Sequence, residues 1–359
     1  MYRKVVRPVV RKGLFSLIGK IASTPDAKEI LGNCLSGLLK WRPDLDFKWF
    51  SPYDEYPEIG KNEAAGDTSK RTDIIFVTGR FRSGSTLLWN IFRNMTGVTA
   101  YYEPFNERRW FDPEMRGART DATHRRVAEY WKEYDGMPFL AEYYEEDWIR
   151  NNLYMDAGFW DPKMKRYIEM LIEHAKGRPV LQFNRVDFRL PWLRANFPNA
   201  KIVHIYRHPR DQWCSFLGKH MTSFSKDGAM DVFPDGFYLT MWCKDLKYHF
   251  PFLDPAAAGH PYELFYNLWR LSYIFGKMYA DVSFSFERLL ESPELVSADM
   301  CDRLDIPRMP DGVLKDIIEG PEIGKWRKYA PDEWFKQIET RCESILRNFL
   351  GHSAGGTAI

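Results

Sequence analysis

The first residues that could do chemistry form a glycine-flanked loop, GRFRSGST, at residues 79–86. The loop matches the phosphate-loop pattern GxxxxGK[ST], except that Ser85 stands where a nucleotide-hydrolysing enzyme has lysine. Backbone amides in such a turn, together with the N-terminus of the helix that follows, bind anions. The missing lysine contacts the β- and γ-phosphates of a triphosphate, and Arg82 supplies a cation inside the loop instead. The loop therefore predicts an anion site that does not serve ATP, although a plain glycine–serine turn would have a similar sequence.

A second cluster lies in KIVHIYRHPRDQWCSF at residues 201–216. A buried strand is predicted to end at Arg207, a helix begins at Pro209, and Ser215 lies eight residues beyond the arginine. Magnesium-dependent phosphoryl transfer requires an aspartate at such a strand end, whereas a guanidinium donates two parallel hydrogen bonds to a phosphate. Arg207 could instead cap the helix or form a surface ion pair. Taken together, the two clusters favour a nucleotide with separate 5′ and 3′ anions.

These motifs resemble those of sulfotransferases that use 3′-phosphoadenosine 5′-phosphosulfate (PAPS). The loop is similar to the family's 5′-phosphosulfate segment, and Arg207 with Ser215 is similar to its 3′-phosphate site. The RSGS sequence is closer to carbohydrate and bacterial members than to the cytosolic small-molecule enzymes. The resemblance implies PAPS as donor, adenosine 3′,5′-bisphosphate as product, and no metal. The donor-binding residues expected in these two motifs are Arg80, Arg82, Ser83, Gly84, Ser85, Thr86, Arg207 and Ser215.

Three later segments also resemble the family: SFERLLESP at 285–293, MCDRLDIP at 300–307 and GKWRKY at 324–329. The last resembles the loop that closes over the adenosine 3′-phosphate. The resemblance implies that Lys325 and Arg327 are cations for that phosphate, and that Trp326 packs or stacks on the base. Where cytosolic members carry Arg-Lys-Gly just before this point, the chain has Glu-Gly-Pro at residues 319–321, so it departs from the family pattern there.

For catalysis, sulfuryl transfer is an in-line displacement akin to phosphoryl transfer, and we expect Arg82 to stabilise the leaving phosphate. Glu103, in YYEPF, is the first candidate for the base that takes the acceptor's proton, and its alternative role is an ion pair with Arg80 or Arg82. Cytosolic members use a histidine from a strand end, but the corresponding residues 183–185 are Phe-Asn-Arg. His220 and Asp187 are weaker candidates for the base.

Short apolar runs and helical periodicity predict the elements that position these residues. Strands are expected at residues 74–79, 179–184 and 201–207 and at the start of 282–290, and helices at 85–95, 190–198, after Arg207 and at 262–280. This alternation predicts an α/β, P-loop-like three-layer fold with a central parallel sheet flanked by helices. Residues 107–176 read as helical and 223–261 as irregular, and both are expected to form acceptor-side insertions.

The predicted organisation is an N-terminal helical extension and loop at 1–73, a sulfotransferase domain at 74–350 and a flexible tail at 351–359. The net charge of +2 gives no global field for nucleic acid. The five cysteines have neither metal nor disulfide spacing, which favours a reducing, cytoplasmic compartment. No apolar run approaches a bilayer span. The basic N-terminus is compatible with a peripheral helix, a membrane-surface contact or an export signal.

The acceptor is expected to be a hydroxyl or an amine. The 16% aromatic content and the acidic residues of the insertions favour a carbohydrate or glycolipid, and an aromatic or lipid alcohol stays open. Two other functions compete with sulfuryl transfer: a P-loop small-molecule kinase, and a non-catalytic nucleotide-binding module of the same fold. The sequence does not indicate an oligomeric state.

Overall fold

The computed structural model describes residues 68–117, 129–308 and 323–354, together with Lys20, Val127, Leu314, Ile317 and Ile318. Apart from Lys20, all of them belong to the unit Gly66–Ile359. The predicted N-terminal extension and its basic segment lie almost wholly outside the described residues. No helix in the described part is both long and apolar enough to cross a bilayer.

A five-stranded sheet forms the centre of the described unit, and every strand pairs in parallel with its neighbours. Its spatial order is β2-β3-β1-β4-β5. The strands are β1 (Ile75–Thr78), β2 (Val98–Tyr102), β3 (Arg178–Phe183), β4 (Lys201–Tyr206) and β5 (Val282–Ser285). The predicted α/β class with a parallel sheet is confirmed. Strand β2 was not among the predicted strands.

Helices connect the strands and cover the sheet. The predicted helices after the loop, around residue 190, after Arg207 and before β5 are all present. The helices are α1 (Ser85–Arg93), α2 (Pro162–Glu173), α3 (Leu190–Asn196), α4 (Pro209–Leu217), α5 (Leu239–Leu246), α6 (Pro261–Tyr279), α7 (Phe286–Glu291), α8 (Pro293–Leu304) and α9 (Asp332–Ala354).

Two segments differ from the sequence-based expectation. Within 107–176 the described residues contain one α-helix, α2, and three short 3₁₀ helices, so the expectation of a helical segment was wrong for most of it. Its aromatic side chains, such as Tyr134 and Trp148, pack into the core from short 3₁₀ helices rather than from the face of a long α-helix. The segment 223–261 is irregular as predicted but includes α5.

The final helix, α9, continues to Ala354, four residues into the segment predicted to be a tail. Residues 355–359 lie outside the described part of the chain.

All five strands end at one edge of the sheet, because they run in parallel. Thr78 at the end of β1 is in register with Phe183 of β3 on one side and with His204 of β4 on the other. The residues that follow these strands are therefore neighbours at what we call the carboxyl edge. Ligands of open α/β sheets bind outside this edge.

Candidate active site

The loop between β1 and α1 has the geometry of an anion cradle. Gly84 at its end has a φ of 96°, and a Cβ added there would lie 2.3 Å from the Phe286 ring, so only glycine fits. Arg82 also has a left-handed backbone, with a φ of 67°. The Ser83 hydroxyl is buried and has no hydrogen-bond partner among the described residues. A buried hydroxyl without a partner is costly unless a ligand supplies one.

The two predicted anion clusters meet at the carboxyl edge. Arg82 Nε donates to Ser215 Oγ at 3.0 Å, and Arg207 Nη1 donates to the carbonyl oxygen of Arg82 at 3.4 Å. Arg207 is only 5% exposed, and its Nε has no partner among the described residues. Burial lowers the pKa of Arg207, and the nearby charge of Arg82 lowers it further. The two arginines therefore add positive charge at the same edge of the sheet.

The basic segment Lys325–Lys328 is a 3₁₀ turn packed against α4. Two guanidiniums, those of Arg210 and Arg327, each lie 4.7 Å from the centroid of the Trp326 ring. Lys325 is near the first turn of α4, because it stands between Gly324 and Trp326, whose backbone amides both donate to Asp211. Lys325 and Trp326 are thus beside the Arg207 cluster, while their contact with a nucleotide stays a prediction.

The remaining loop hydroxyls bond to the neighbouring strands. Ser85 Oγ donates to Asn184 Oδ1 at 2.8 Å, just after β3, and Thr86 Oγ1 lies 3.1 Å from the hydroxyl of Tyr102 at the end of β2. The loop is therefore tied to the half of the sheet that carries Glu103.

Glu103 follows β2 and is 5% exposed, with a left-handed φ of 39°. Its carboxylate accepts hydrogen bonds from Asn184 Nδ2, from Asn106 Nδ2 at 2.5 Å and from Arg185 Nη1 at 3.0 Å. The ion pair that the structure gives Glu103 is therefore with Arg185, whereas the sequence had suggested Arg80 or Arg82.

Arg80 and Asp187 form a buried pair, with Arg80 Nη1 3.3 Å from Asp187 Oδ2. The Arg80 guanidinium also lies over the Trp242 ring at 5.2 Å, and Thr78 Oγ1 donates to Asp187 at 2.9 Å. Burial raises the pKa of Asp187, and the charge of Arg80 opposes that rise. Arg80 and Asp187 are therefore each other's ion-pair partners in the structure. Donor binding by Arg80 and a role of Asp187 as the base stay predictions. His220 lies apart from them, in the short 3₁₀ helix Gly218–Thr222.

Sequence reasoning missed the residues around Arg185. Its Nη2 donates to Glu107 Oε2 at 2.8 Å, and its guanidinium lies 5.1 Å from the Phe81 ring centroid. The Tyr238 hydroxyl donates to the other oxygen of Glu107 at 3.0 Å. Burial lowers the pKa of Arg185, but the Glu103 and Glu107 carboxylates outweigh it and the pKa is raised overall. The available signal was the pair Asn184–Arg185 directly after a buried strand, which the sequence analysis read only as lacking histidine.

Solved structures to which the chain is similar include three with low sequence identity and TM-scores below 0.5. One is a sulfotransferase domain from the curacin biosynthetic pathway, with 17% identity and a TM-score of 0.40 over 76% of this chain and 96% of that one. Another is a sulfotransferase from Alicyclobacillus acidocaldarius, with 15% identity and a TM-score of 0.37 over 78% of this chain and 96% of that one. The third is retinol dehydratase in complex with androsterone and inactive cofactor PAP, with 14% identity and a TM-score of 0.34 over 77% of this chain and 81% of that one.

No curated protein sequence is significantly similar to the chain. The model of one protein family, described as the sulfotransferase family, matches residues 73–311, which is more than half of the chain. This match covers the loop at 79–86, Glu103, Arg185, Arg207 and Ser215. The chain belongs to the sulfotransferase family.

Proposed function

We propose that this sulfotransferase takes its sulfuryl group from PAPS and transfers it to a hydroxyl or amine of a small-molecule, carbohydrate or lipid acceptor. One observation carries the proposal. At the carboxyl edge, Arg82 joins the two clusters: its Nε donates to Ser215 Oγ, and its carbonyl oxygen accepts from Arg207 Nη1. Beside them, the buried Ser83 hydroxyl and Arg207 Nε have no partner in the described part of the chain. Such a cradle suits a nucleotide that carries two separate anions.

In this proposal the loop amides and the hydroxyls of Ser83 and Thr86 bind the 5′-phosphosulfate. Arg207 and Ser215 bind the 3′-phosphate, as the family resemblance implies. The buried guanidinium of Arg207 supports this role, because a charge-assisted bond to phosphate is stronger where water is excluded.

In the transfer step, the acceptor oxygen or nitrogen forms a bond to sulfur, while the bond between sulfur and the bridging oxygen of the 5′-phosphate breaks. Negative charge grows on that leaving phosphate, and Arg82 stabilises it. The proton of the acceptor passes to the Glu103 carboxylate. The hydrogen bonds from Asn106 and Arg185 support this assignment, because they fix the carboxylate in one orientation.

The acceptor is proposed to lie against the half-buried rings of Phe237 and Tyr238, beside Glu107. Phe81 lies 5.2 Å from Phe237 and 5.5 Å from Trp242 between ring centroids, and Tyr238 stacks on Trp242. The Glu107 side chain is 41% exposed and could accept hydrogen bonds from hydroxyls. Aromatic rings beside a carboxylate that accepts hydrogen bonds favour a ring-shaped substrate with hydroxyl groups, such as a sugar.

We also propose a cytoplasmic location, in keeping with the four described cysteines, which are all buried and form no disulfide among the described residues. Contact of the basic N-terminus with a membrane surface is a further proposal, and it concerns residues outside the described part.

The experiment that tests the proposal incubates the purified chain with ³⁵S-labelled PAPS and a panel of sugars, glycolipids, phenols, sterols and amines. Labelled organic product is expected with at least one acceptor class. A parallel incubation with γ-³²P-labelled ATP and magnesium is expected to give no labelled product. Product from ATP would support the kinase alternative, and nucleotide binding without any sulfated product would support a binding module.

Arg82→Ala is expected to lower the turnover number about 100-fold in this assay, on the order of 3 kcal/mol of transition-state stabilisation, as for other preorganised donors. A decrease of less than about threefold would contradict the role of Arg82 in the transfer step.

A further inference from the structure

Asp211 is a buried carboxylate in the first turn of α4, with 2% exposure. It accepts two backbone hydrogen bonds from a distant part of the chain: Gly324 N donates to Oδ2 at 2.8 Å and Trp326 N donates to Oδ1 at 3.3 Å. A carboxylate is costly to bury unless such donors satisfy it. Asp211 therefore anchors the start of the basic turn to α4.

The position of Asp211 is unfavourable for anion binding by itself. Its charge acts on Arg207: burial lowers the pKa of that guanidinium, and the Asp211 carboxylate raises it. A negative charge so close to the proposed 3′-phosphate subsite repels a phosphate. Any benefit of Asp211 to donor binding must therefore come through the turn that it holds.

The anchored turn has a defined shape and carries cations. Gly324 has a φ of 85°, and a Cβ added there would lie 2.2 Å from Arg327 Nη1, so the turn requires glycine where Asp211 holds it. Lys325 follows directly, and its charge acts on Cys214, the neighbour of Ser215. Lys325 stands between Gly324 and Trp326, whose amides both donate to Asp211, so its backbone lies at the first turn of α4, the end that follows Arg207.

A second contact from α4 fixes the same turn. The guanidinium of Arg210, next to Asp211, lies 4.7 Å from the Trp326 ring centroid. Arg210 is itself held by α9, with Nη2 2.7 Å from Glu339 Oε2 and Nη1 2.5 Å from Asp332 Oδ1. The turn is thus bound through its backbone by Asp211 and through its tryptophan by Arg210.

We propose that Asp211 is a positioning residue for the 3′-phosphate subsite, which holds Lys325 where it can bind that phosphate. The inference rests on the proposed use of PAPS. Through the turn that it holds, Asp211 makes the site prefer nucleotides that carry a 3′-phosphate over those that do not.

The test compares dissociation constants of adenosine 3′,5′-bisphosphate and adenosine 5′-monophosphate, measured by calorimetry. In Asp211→Asn, which removes the negative charge and one of the two acceptor oxygens, bisphosphate affinity is expected to fall about tenfold. Affinity for the monophosphate is expected to change less than about twofold. Lys325→Ala is expected to lower bisphosphate affinity similarly, and the double variant is expected to lose little more than either single variant.

Asp245→Asn is the matched control, because Asp245 likewise accepts two backbone hydrogen bonds from a distant loop, from Asn152 N at 3.1 Å and Leu153 N at 2.9 Å. Its nucleotide preference is expected to equal that of the wild type. In ligand-free protein, amide hydrogen exchange at Gly324 and Trp326 is expected to accelerate in Asp211→Asn and to stay unchanged in Asp245→Asn.

Two failures are distinguishable. If Asp211→Asn binds the bisphosphate as tightly as the wild type or more tightly, the loss of repulsion between Asp211 and the phosphate outweighs the loss of the anchored turn. The inference is then overturned, while the proposed donor stands. If the wild type shows no preference for the bisphosphate over the monophosphate, the proposed donor itself fails, and the role assigned to Asp211 fails with it.

Discussion

The carboxylate of Glu103 is held by side chains that come from two separate parts of the chain. Asn106 lies three residues away, whereas Asn184 and Arg185 follow β3, some eighty residues later. Motif spacing identified Glu103 but not these partners, because their proximity arises from the pairing of β2 with β3. Arg82, Arg207 and Ser215 could be identified from sequence, since each belongs to a local motif at a strand end.

Loss of Arg185 is predicted to destabilise the protein, because the buried Glu103 carboxylate would lose its ion-pair partner. The Arg185 and Glu103 side chains are 2% and 6% exposed, and removing one partner of such a pair costs about 3–5 kcal/mol. Arg185→Met should show this loss in equilibrium denaturant unfolding. Arg166→Met is the control, since its pair with Glu173 is 38% and 26% exposed and should matter by less than about 1 kcal/mol. Equal losses in the two variants would contradict the prediction.

His204 is predicted to make the fold sensitive to acid. Burial lowers its pKa to about 3 from 6.5, the charge of Lys277 adds to this, and its Nδ1 lies 3.0 Å from Ser283 Oγ. Between these two pH values the unfolded chain binds a proton that the folded chain does not. Stability from this group is therefore complete above pH 6.5 and is lost as the pH falls toward 3, by up to about 1.4 kcal/mol per unit.

Unfolding free energies measured at intervals between pH 7 and pH 4.5 test this prediction. His204→Gln is expected to reduce the slope, while a His174→Gln control at an exposed position is expected to leave it unchanged. If the slope of His204→Gln equals that of the wild type, His204 is not the group responsible.

At the scale of elements, apolar runs predicted β1, β3 and β4, which are buried along most of their length, and β5 was predicted from VSFS, whose burial alternates. Strand β2 reads VTAYY, and its first two residues are only partly buried, so it lacks the continuous apolar run. The prediction that residues 107–176 are helical failed for a different reason. Its aromatic residues meet in the core from different elements: Tyr144 follows one short 3₁₀ helix, Trp148 lies in another, and both contact Tyr167 of α2.

The turn into α1 is predicted to depend on Gly84 for space as well as for backbone conformation. Gly84→Ala adds a Cβ against Phe286, whereas Gly97→Ala introduces the same kind of strain at a φ of 75° with nothing within 4 Å. The Gly97 change should cost about 1–2 kcal/mol. The Gly84 change should cost more and also weaken binding of adenosine 3′,5′-bisphosphate, as measured by denaturant unfolding and calorimetry. Equal effects of the two variants on both measurements would contradict this account of the loop.

At the scale of the whole molecule, parallel strands bring motifs that are far apart in sequence to one edge. The loop after β1 and Arg207 after β4 are separated by more than a hundred residues, yet Arg82 bonds to Ser215 because β1 and β4 are adjacent strands. The order of β1 and β4 in the sheet follows from tertiary packing, so the sequence could suggest two anion sites but not their contact.

The central claim is that one adenosine nucleotide with separate 5′ and 3′ anions binds at this edge. Calorimetry with adenosine 3′,5′-bisphosphate, adenosine 5′-monophosphate and ATP–Mg tests it most directly. The wild type is predicted to bind the bisphosphate at least about tenfold more tightly than the monophosphate, and Arg207→Met is predicted to abolish that preference. Tighter binding of ATP–Mg, or no binding of the bisphosphate, would contradict the claim.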